Sequence, residues 1–281
     1  VGVIRASVTP VALGLPASVA VFAVALAAGW LAWRSAARPA GMVPPAVADG
    51  RALAGLWQPF HHPAFVRLLA VFMLNGIASA VPATLVLFFI QDRLQAPQSM
   101  EPAFLGSYFL VAALSIPLWL RLVPRAGLAR CWLAGMVLSI AVFVWASQLG
   151  AGDMWPFLLV CALSGVALGT DLALPGALLA GVIATAPAAS ASHQASTAGL
   201  YFGWWNFATK LNLALAAGLA LPLLGLFGYR PGTTDPAALD ALVLAYCVLP
   251  CALKLLASAG LYAFVIRPAA TRPSPLSTEH P

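Results

Sequence analysis

The stretch YFGWWNFATKLNLALAAG, residues 201–218, decides the fold class, because it is an apolar, aromatic helix with an ammonium group in its middle. The whole chain has the same character, with 62% hydrophobic and 8% charged residues. A soluble domain carries about 25% charged residues. The composition therefore indicates an integral membrane protein. The net charge of +6 is not a nucleic-acid footprint, because most basic residues flank apolar runs and set topology.

Seven windows have the roughly 20 apolar residues that a membrane-spanning helix needs. They are 8–33, 64–90, 103–123, 129–148, 155–184, 199–227 and 241–266. Alternation with a period of two is absent from them, which argues against a membrane β-barrel. Prolines occur inside six of the windows, where membrane helices tolerate them as kinks. The predicted fold is an all-α membrane protein with seven transmembrane helices.

The connections between the windows predict an orientation. Basic connections alternate with acidic ones, which places 34–63, 121–130 and the C-terminus in the cytoplasm. The start of this chain is then outside. Arg121, Arg125 and Arg130 are predicted as cytoplasmic anchors or gate residues. The four cysteines all fall in apolar runs, so we interpret them as small buried side chains, and no metal site is predicted.

Three ionisable residues fall deep within the spans. Helix rise places Lys210 about 16 Å, Lys254 about 18 Å and Asp171 about 20 Å from the cytoplasmic ends of their spans. Asn75 reaches the same level. A charge at the bilayer centre costs at least about 2.5–3.5 kcal/mol. Four polar groups at one depth predict a midplane binding site.

The role of each group stays open at this point. Lys210 either pairs with Asp171 to hold two helices together or places a cation in a solute cavity. Lys254 is structural, snorkelling towards the membrane surface, or functional. Tyr201 and Trp205 belong either to an interfacial aromatic belt or to the border of the cavity. The face expected around Lys210 consists of Gly203, Asn206, Phe207, Lys210, Ala214 and Ala217.

Several stretches resemble the glycoside–pentoside–hexuronide:cation symporters, the melibiose-carrier branch of the major facilitator superfamily. AGLYFGWWNFATKLNLALAAGLALPLLGLFGYRPG (198–232) resembles their eleventh helix, and GVALGTDLALPGALLAGVI (165–183) looks like their tenth. FMLNGIASAVPATLVLFFIQDRL (72–94) looks like the seventh. WLRLVPRAGLARCW (119–132) is similar to the basic turn between helices eight and nine.

The resemblance implies that the chain supplies helices six to twelve of a twelve-helix carrier, with an N-terminal portion missing. Residues 1–33 would be the last helix of the first half, 34–63 the central cytoplasmic loop, 64–267 the six-helix second half and 268–281 a disordered tail. It also implies that Lys210 contributes to solute and cation coupling and that Asn206 lines the cavity. Where the family often carries acids, this chain has Gly181, Ala184 and Ala198.

The resulting hypothesis is a secondary active transporter that moves a small polar solute, a sugar or glycoside, together with Na⁺ or H⁺. The candidate substrate or coupling residues are Lys210, Asn206, Asp171, Asn75, Trp205 and Tyr201. No cofactor is expected, and the cation site is expected mainly in the missing half. The expected partners are the solute and the lipid bilayer of the cell membrane, without nucleic acid, for a monomeric carrier.

Three other functions fit the sequence less well. A carrier of lipids or amphipathic solutes would suit the sparse polar lining. A seven-helix retinal photoreceptor would use Lys254 in the last helix, but the span 103–123 lacks the carboxylate that such a pigment needs. An enzyme is not expected, because the sequence has no catalytic motif such as HExxH or GxSxG.

Overall fold

A computed structural model describes residues 56–185 and 191–270, together with helical residues 19–20, 23–24, 26–32 and 34. The chain divides into two compact units, Val1–Ala52 and Leu53–Pro281. The described residues of the first unit are helical and exposed. Most of the predicted span 8–33, the segment 35–55 and the tail from 271 lie outside the described residues.

The described part of the second unit contains six long apolar helices. We number them α1 (Pro63–Arg93), α2 (Gln98–Ala126), α3 (Leu128–Ala146), α4 (Met154–Ala184), α5 (Ala191–Leu226) and α6 (Pro236–Ile266). Each is long and apolar enough to cross a membrane. Six of the seven predicted spans are therefore confirmed. The structure extends three of them by five residues or more: α2 begins at Gln98 rather than 103, α5 at Ala191 rather than 199 and α6 at Pro236 rather than 241.

The prolines of the spans are accommodated within the helices. Helices α1, α2, α4 and α5 run without a break through Pro82, Pro117, Pro175 and Pro222. In α6 the turn before Pro250 widens into a π-turn at Leu244–Val248. Proline lacks an N–H group and collides with the carbonyl one turn earlier, and a widened turn is one way to relieve both problems.

The packing of the six helices repeats itself. Helix α1 packs mainly on α5 and α6, and α4 packs in the same way on α2 and α3. Helices α3 and α6 pack on each other. Exchanging α1–α3 for α4–α6 therefore reproduces these main contacts. Because each triplet crosses the membrane an odd number of times, its copy has the opposite orientation, which is the inverted repeat of many transporters.

The repeat is imperfect at one place. Helices α2 and α3 contact each other, whereas an apolar groove lies between α5 and α6. Residues of α1 form the base of this groove. The α5–α6 connection is held at the end of α1, where the Tyr229 hydroxyl and the Gly232 N–H donate to Asp92. Burial, and then the hydrogen bond to Asp92, raise the pKa of Tyr229 well above its usual range.

Close approach of backbones fixes α4 against its neighbours. A Cβ atom at Gly165 would collide with the carbonyl oxygen of Tyr108 in α2, and one at Gly135 in α3 would collide with the Thr170 hydroxyl. Small residues at membrane-helix contacts allow this proximity. Helix α4 thereby brings its polar residue, Asp171, close to several other helices at once.

We predict that Gly165→Ala destabilises the six-helix unit by about 1–3 kcal/mol, because the added methyl group collides with backbone that has no rotamer to change. Thermal unfolding of the detergent-solubilised protein measures the effect. Gly176→Ala in the same helix is the matched control, since a Cβ atom there meets nothing within 4 Å. Equal stability of the two variants would show that α2 and α4 do not pack this closely.

Candidate transport site

A buried ion pair joins α4 and α6 near the middle of both helices. The Lys254 ammonium lies 3.3 Å from Oδ2 of Asp171. It also donates to Oδ1 of Asn75 at 2.8 Å and to the hydroxyl of Ser79 at 3.1 Å. Lys254 is only 4% exposed. The ammonium group thus has one charged and two neutral partners, all from α1 and α4.

The carboxylate of Asp171 is equally well surrounded. Its Oδ1 accepts hydrogen bonds from Nδ2 of Asn75 at 3.0 Å and from Nε1 of Trp132 at 2.8 Å. Its Oδ2 accepts from Ser79 at 3.2 Å in addition to Lys254. Hydrogen bonds to ionised groups are about twice as strong as neutral ones. We call these five residues the charge cluster: Asn75, Ser79, Trp132, Asp171 and Lys254.

The sequence positions explain how the cluster forms. Asn75 and Ser79 are four residues apart in α1, so their side chains lie one above the other on one face. Asn75 contributes both ends of its amide, accepting from Lys254 and donating to Asp171. The cluster is electrically neutral as a whole. Two charges taken out of water are tolerated when each finds its partner and its remaining hydrogen bonds.

A pocket of about 120 Å³ adjoins the cluster. Helices α1, α2, α3, α4 and α6 contribute to its wall. The wall includes Asp171, Lys254 and Ser79 of the charge cluster. It also includes two further residues with hydroxyl groups, Tyr108 and Ser164. The Ser164 hydroxyl oxygen is buried and has no hydrogen-bond partner among the described residues. The pocket is thus a small, mainly apolar chamber with a few polar groups in its wall.

Lys210 lies apart from the charge cluster. It is exposed on α5, and no ion pair or hydrogen bond to it occurs within the described residues. All six residues of the predicted α5 face are exposed in the second unit: Gly203, Asn206, Phe207, Lys210, Ala214 and Ala217. We call this surface the Lys210 face. The other helices of the unit leave it uncovered, while Asn212 and Ala216 face inward.

The aromatic block at the start of α5 holds the segment that precedes α1. The indole of Trp204 donates to the carbonyl oxygen of Leu56 at 2.7 Å. The Tyr201 hydroxyl lies 3.3 Å from Nδ1 of His62. Trp205 stacks on Phe72 with ring centroids 3.8 Å apart. These aromatic rings therefore pack the 56–72 segment against α5.

The structure brings together some predicted site residues and separates others. Asn75 and Asp171 lie in one cluster. The alternative pairing of Asp171 with Lys210 is wrong, because Lys254 occupies the position beside Asp171. A snorkelling role for Lys254 is equally wrong, since its side chain is buried among three helices. Asn206 lies on the Lys210 face and donates to the carbonyl oxygen of Phe202.

The remaining predicted positions lie away from the cluster. Tyr201 and Trp205 are 2% and 8% exposed and are not part of the pocket wall, so their contact with a solute stays a prediction. Arg121, Arg125 and Arg130 are exposed around the α2–α3 turn. All four cysteines are free and buried, as interpreted from the sequence.

Two cluster members, Ser79 and Trp132, are not among the site residues predicted from the sequence. Ser79 could have been found, because it follows Asn75 by one helical turn. Trp132 could not, because it lies only four residues after the start of α3 and its position is typical of an interfacial aromatic residue. Helix α3 is short, with 19 residues, and its first turns lie level with the middle of α4.

Two inverted helix triplets around a buried, neutralised charge pair are an arrangement typical of membrane transporters. The sequence comparison gives the family: residues 13–267 match the family described as MFS/sugar transport protein. This match covers most of the chain, so the protein belongs to that family of the major facilitator superfamily. A search among curated proteins finds no match to the chain.

We predict that Lys254→Met lowers the free energy of unfolding by about 3–5 kcal/mol, because it leaves the Asp171 carboxylate buried without its counter-charge. Chemical unfolding in detergent micelles measures the loss. Lys210→Met is the matched control, and we expect a much smaller effect because Lys210 is exposed.

The neutral double variant Asp171→Asn/Lys254→Met separates lost charge balance from lost packing. We expect it to recover most of the stability lost in Lys254→Met, since no uncompensated charge remains. A double variant as unstable as the single one would mean that shape, and not charge pairing, makes Lys254 important.

Proposed function

We propose that the protein is a secondary active transporter that moves a small polar solute, a sugar or glycoside, together with Na⁺ or H⁺ by alternating access. The observation that carries the proposal is the Lys210 face. It combines an ammonium group, the Asn206 amide and small residues on a surface that the other five helices of the unit do not cover.

The free-energy cost of placing a charge in lipid is the reason for assigning the Lys210 face to a solute cavity. A lysine near the centre of a bilayer costs at least about 2.5–3.5 kcal/mol when it faces hydrocarbon. Lys210 lies about 11 residues, or roughly 16 Å, from residue 199 near the interface. It is therefore best accommodated on a water-filled cavity that a polar solute enters. Asn206, one turn away, adds a neutral hydrogen-bonding group for hydroxyls.

The proposed orientation follows the charges of the connections. The Arg121, Arg125 and Arg130 turn, residues 34–63 and the C-terminus would face the cytoplasm, with the start of this chain outside. The protein would work as a monomer in the cell membrane, the inner one if it is bacterial. The helices leave the membrane at the basic turn, where the three arginines would anchor α2 and α3.

A second candidate is a carrier of lipids or other amphipathic solutes within the same superfamily. The apolar groove between α5 and α6 favours it. The groove has a volume of about 610 Å³, and all the residues that line it are apolar. They include Leu215, Leu219, Leu244 and Leu253. Such a surface is suited to an acyl chain, whereas the Lys210 face is suited to a polar head group.

We predict that the purified protein, as the cell makes it, accumulates a labelled glycoside in proteoliposomes under a sodium or proton gradient. Lys210→Gln should reduce uptake on the order of tenfold to hundredfold, because a hydrogen bond to a charged group contributes about 1.5–3 kcal/mol. Leu226→Ala, a change at an exposed position on the opposite side of α5, should leave uptake near the unmodified level.

The competing carriers give a different result in the same vesicles. Uptake of no glycoside under either gradient, together with transfer of a fluorescent lysolipid, would replace the sugar function with the lipid function. Glycoside uptake that survives Lys210→Gln would instead remove the Lys210 face from the solute path.

A further inference from the structure

We propose that Asp171 is the proton-binding residue of this carrier and that Lys254 is its movable counter-ion, so that H⁺ is the coupling ion. The inference rests on the proposed transport function and makes it more specific. The candidate coupling residues of the Lys210 face are not part of this site. The proton site lies instead inside the six-helix unit, at the charge cluster and its pocket.

Access distinguishes Asp171 from Lys254. The Asp171 side chain is 16% exposed, whereas that of Lys254 is 5% exposed. Asp171 is the one carboxylate among the described residues of the pocket wall. A pocket of about 120 Å³ has room for several water molecules. The unpaired Ser164 hydroxyl gives such a water one of the polar partners that it needs.

The chemistry of the cluster favours a proton over a metal cation. Hard metal cations are bound by a shell of oxygen acceptors. The neighbours of the Asp171 carboxylate are instead donors: the Asn75 amide N–H, the Ser79 hydroxyl, the Trp132 indole N–H and the Lys254 ammonium. The ammonium would also repel Na⁺ at short range. A proton needs only one lone pair of a carboxylate oxygen.

The proton changes the charge balance of the cluster. With Asp171 ionised, the cluster is neutral, and Lys254 remains in its place. When a hydronium ion in the pocket transfers a proton to Oδ2, a carboxylic acid and a water molecule result, and the cluster gains one positive charge. Because an uncompensated buried charge is costly, Lys254 then moves towards water or another acceptor.

Protonation of Asp171 affects several helices, because the hydrogen-bond partners of its carboxylate lie on different helices. Oδ2 is the oxygen that both Lys254 and Ser79 hold, so its protonation loosens α6 and α1 from α4 together. Oδ1 stays bound to Trp132 and Asn75, which keeps Asp171 oriented. Proton binding thereby shifts the equilibrium between two packings of the same helices.

The other titratable groups near the pocket come from three helices. They are Tyr108 of α2, Cys161 of α4, and Tyr246 and Lys254 of α6, with Cys251 one turn before Lys254. The described residues of α1 and α3 that touch Asp171 are uncharged. Tyrosine and cysteine are neutral in their ordinary state at physiological pH. The pair itself is therefore the group whose charge changes.

The first experiment reads the proton directly and needs no solute. Infrared difference spectra of the reconstituted protein between acidic and neutral pH separate a protonated carboxyl C=O stretch from carboxylate bands. We expect a pH-dependent acid band that is lost in Asp171→Asn and kept in the control Asp240→Asn, whose side chain is 77% exposed. A spectrum unchanged by Asp171→Asn would overturn the proposal and leave the pair as a structural clamp.

The second experiment tests the coupling in proteoliposomes with a glycoside that the unmodified protein accumulates. In the double variant Asp171→Asn/Lys254→Gln we expect stimulation of uptake by a pH gradient to fall about tenfold. Exchange of labelled for unlabelled glycoside without any gradient should continue, which shows that the variant is folded. Full pH-driven uptake by this variant, or uptake driven by Na⁺ alone, would contradict the proton site.

The two experiments separate the proposals. An Asp171 band without uptake of any glycoside would keep the proton site and refute the sugar function. Uptake of a glycoside without an Asp171 band would keep the sugar function and refute the proton site.

Discussion

The burial of one charge pair constrains the rest of the six-helix unit. Asp171 and Lys254 are tolerated inside an apolar bundle only because each finds its counter-charge and further hydrogen bonds. Those partners come from four helices, so α1, α3, α4 and α6 must meet at one level. The close approaches at Gly165 and Gly135 meet this requirement, since they bring α4 against α2 and α3. Local backbone packing and electrostatics therefore depend on each other here.

The cluster also lies where the two inverted triplets meet. Asn75, Ser79 and Trp132 belong to the first triplet, and Asp171 and Lys254 belong to the second. Each triplet alone would leave polar groups unsatisfied in the membrane, where there is little water to compensate. The pairing thus holds the repeats together as one unit in the described state. A change in the charge of one cluster residue therefore alters contacts in both triplets.

The sequence predicted the helices well and the site only in part. Long apolar runs identify spans because each helix satisfies its own backbone hydrogen bonds in lipid. Counting residues from the span ends then placed Asn75, Asp171 and Lys254 at one depth, and the structure joins all three. Depth does not give the direction in which a side chain points. Lys210 lies at a similar distance from the end of its predicted span, yet it faces outward. Trp132 was not predicted, because a tryptophan near the start of a membrane helix is typical of an interfacial residue.

The two intramembrane lysines therefore differ in their surroundings, and this difference is informative. Lys254 is neutralised by Asp171 and can remain in the bundle without water, whereas Lys210 is exposed and requires a polar environment outside the unit. A carrier needs both conditions: a surface that meets the solute, and a buried element with two charge states that can change the packing. Under the proposed function, their placement on different helices would link ion binding and solute binding through α1, which packs on both α5 and α6.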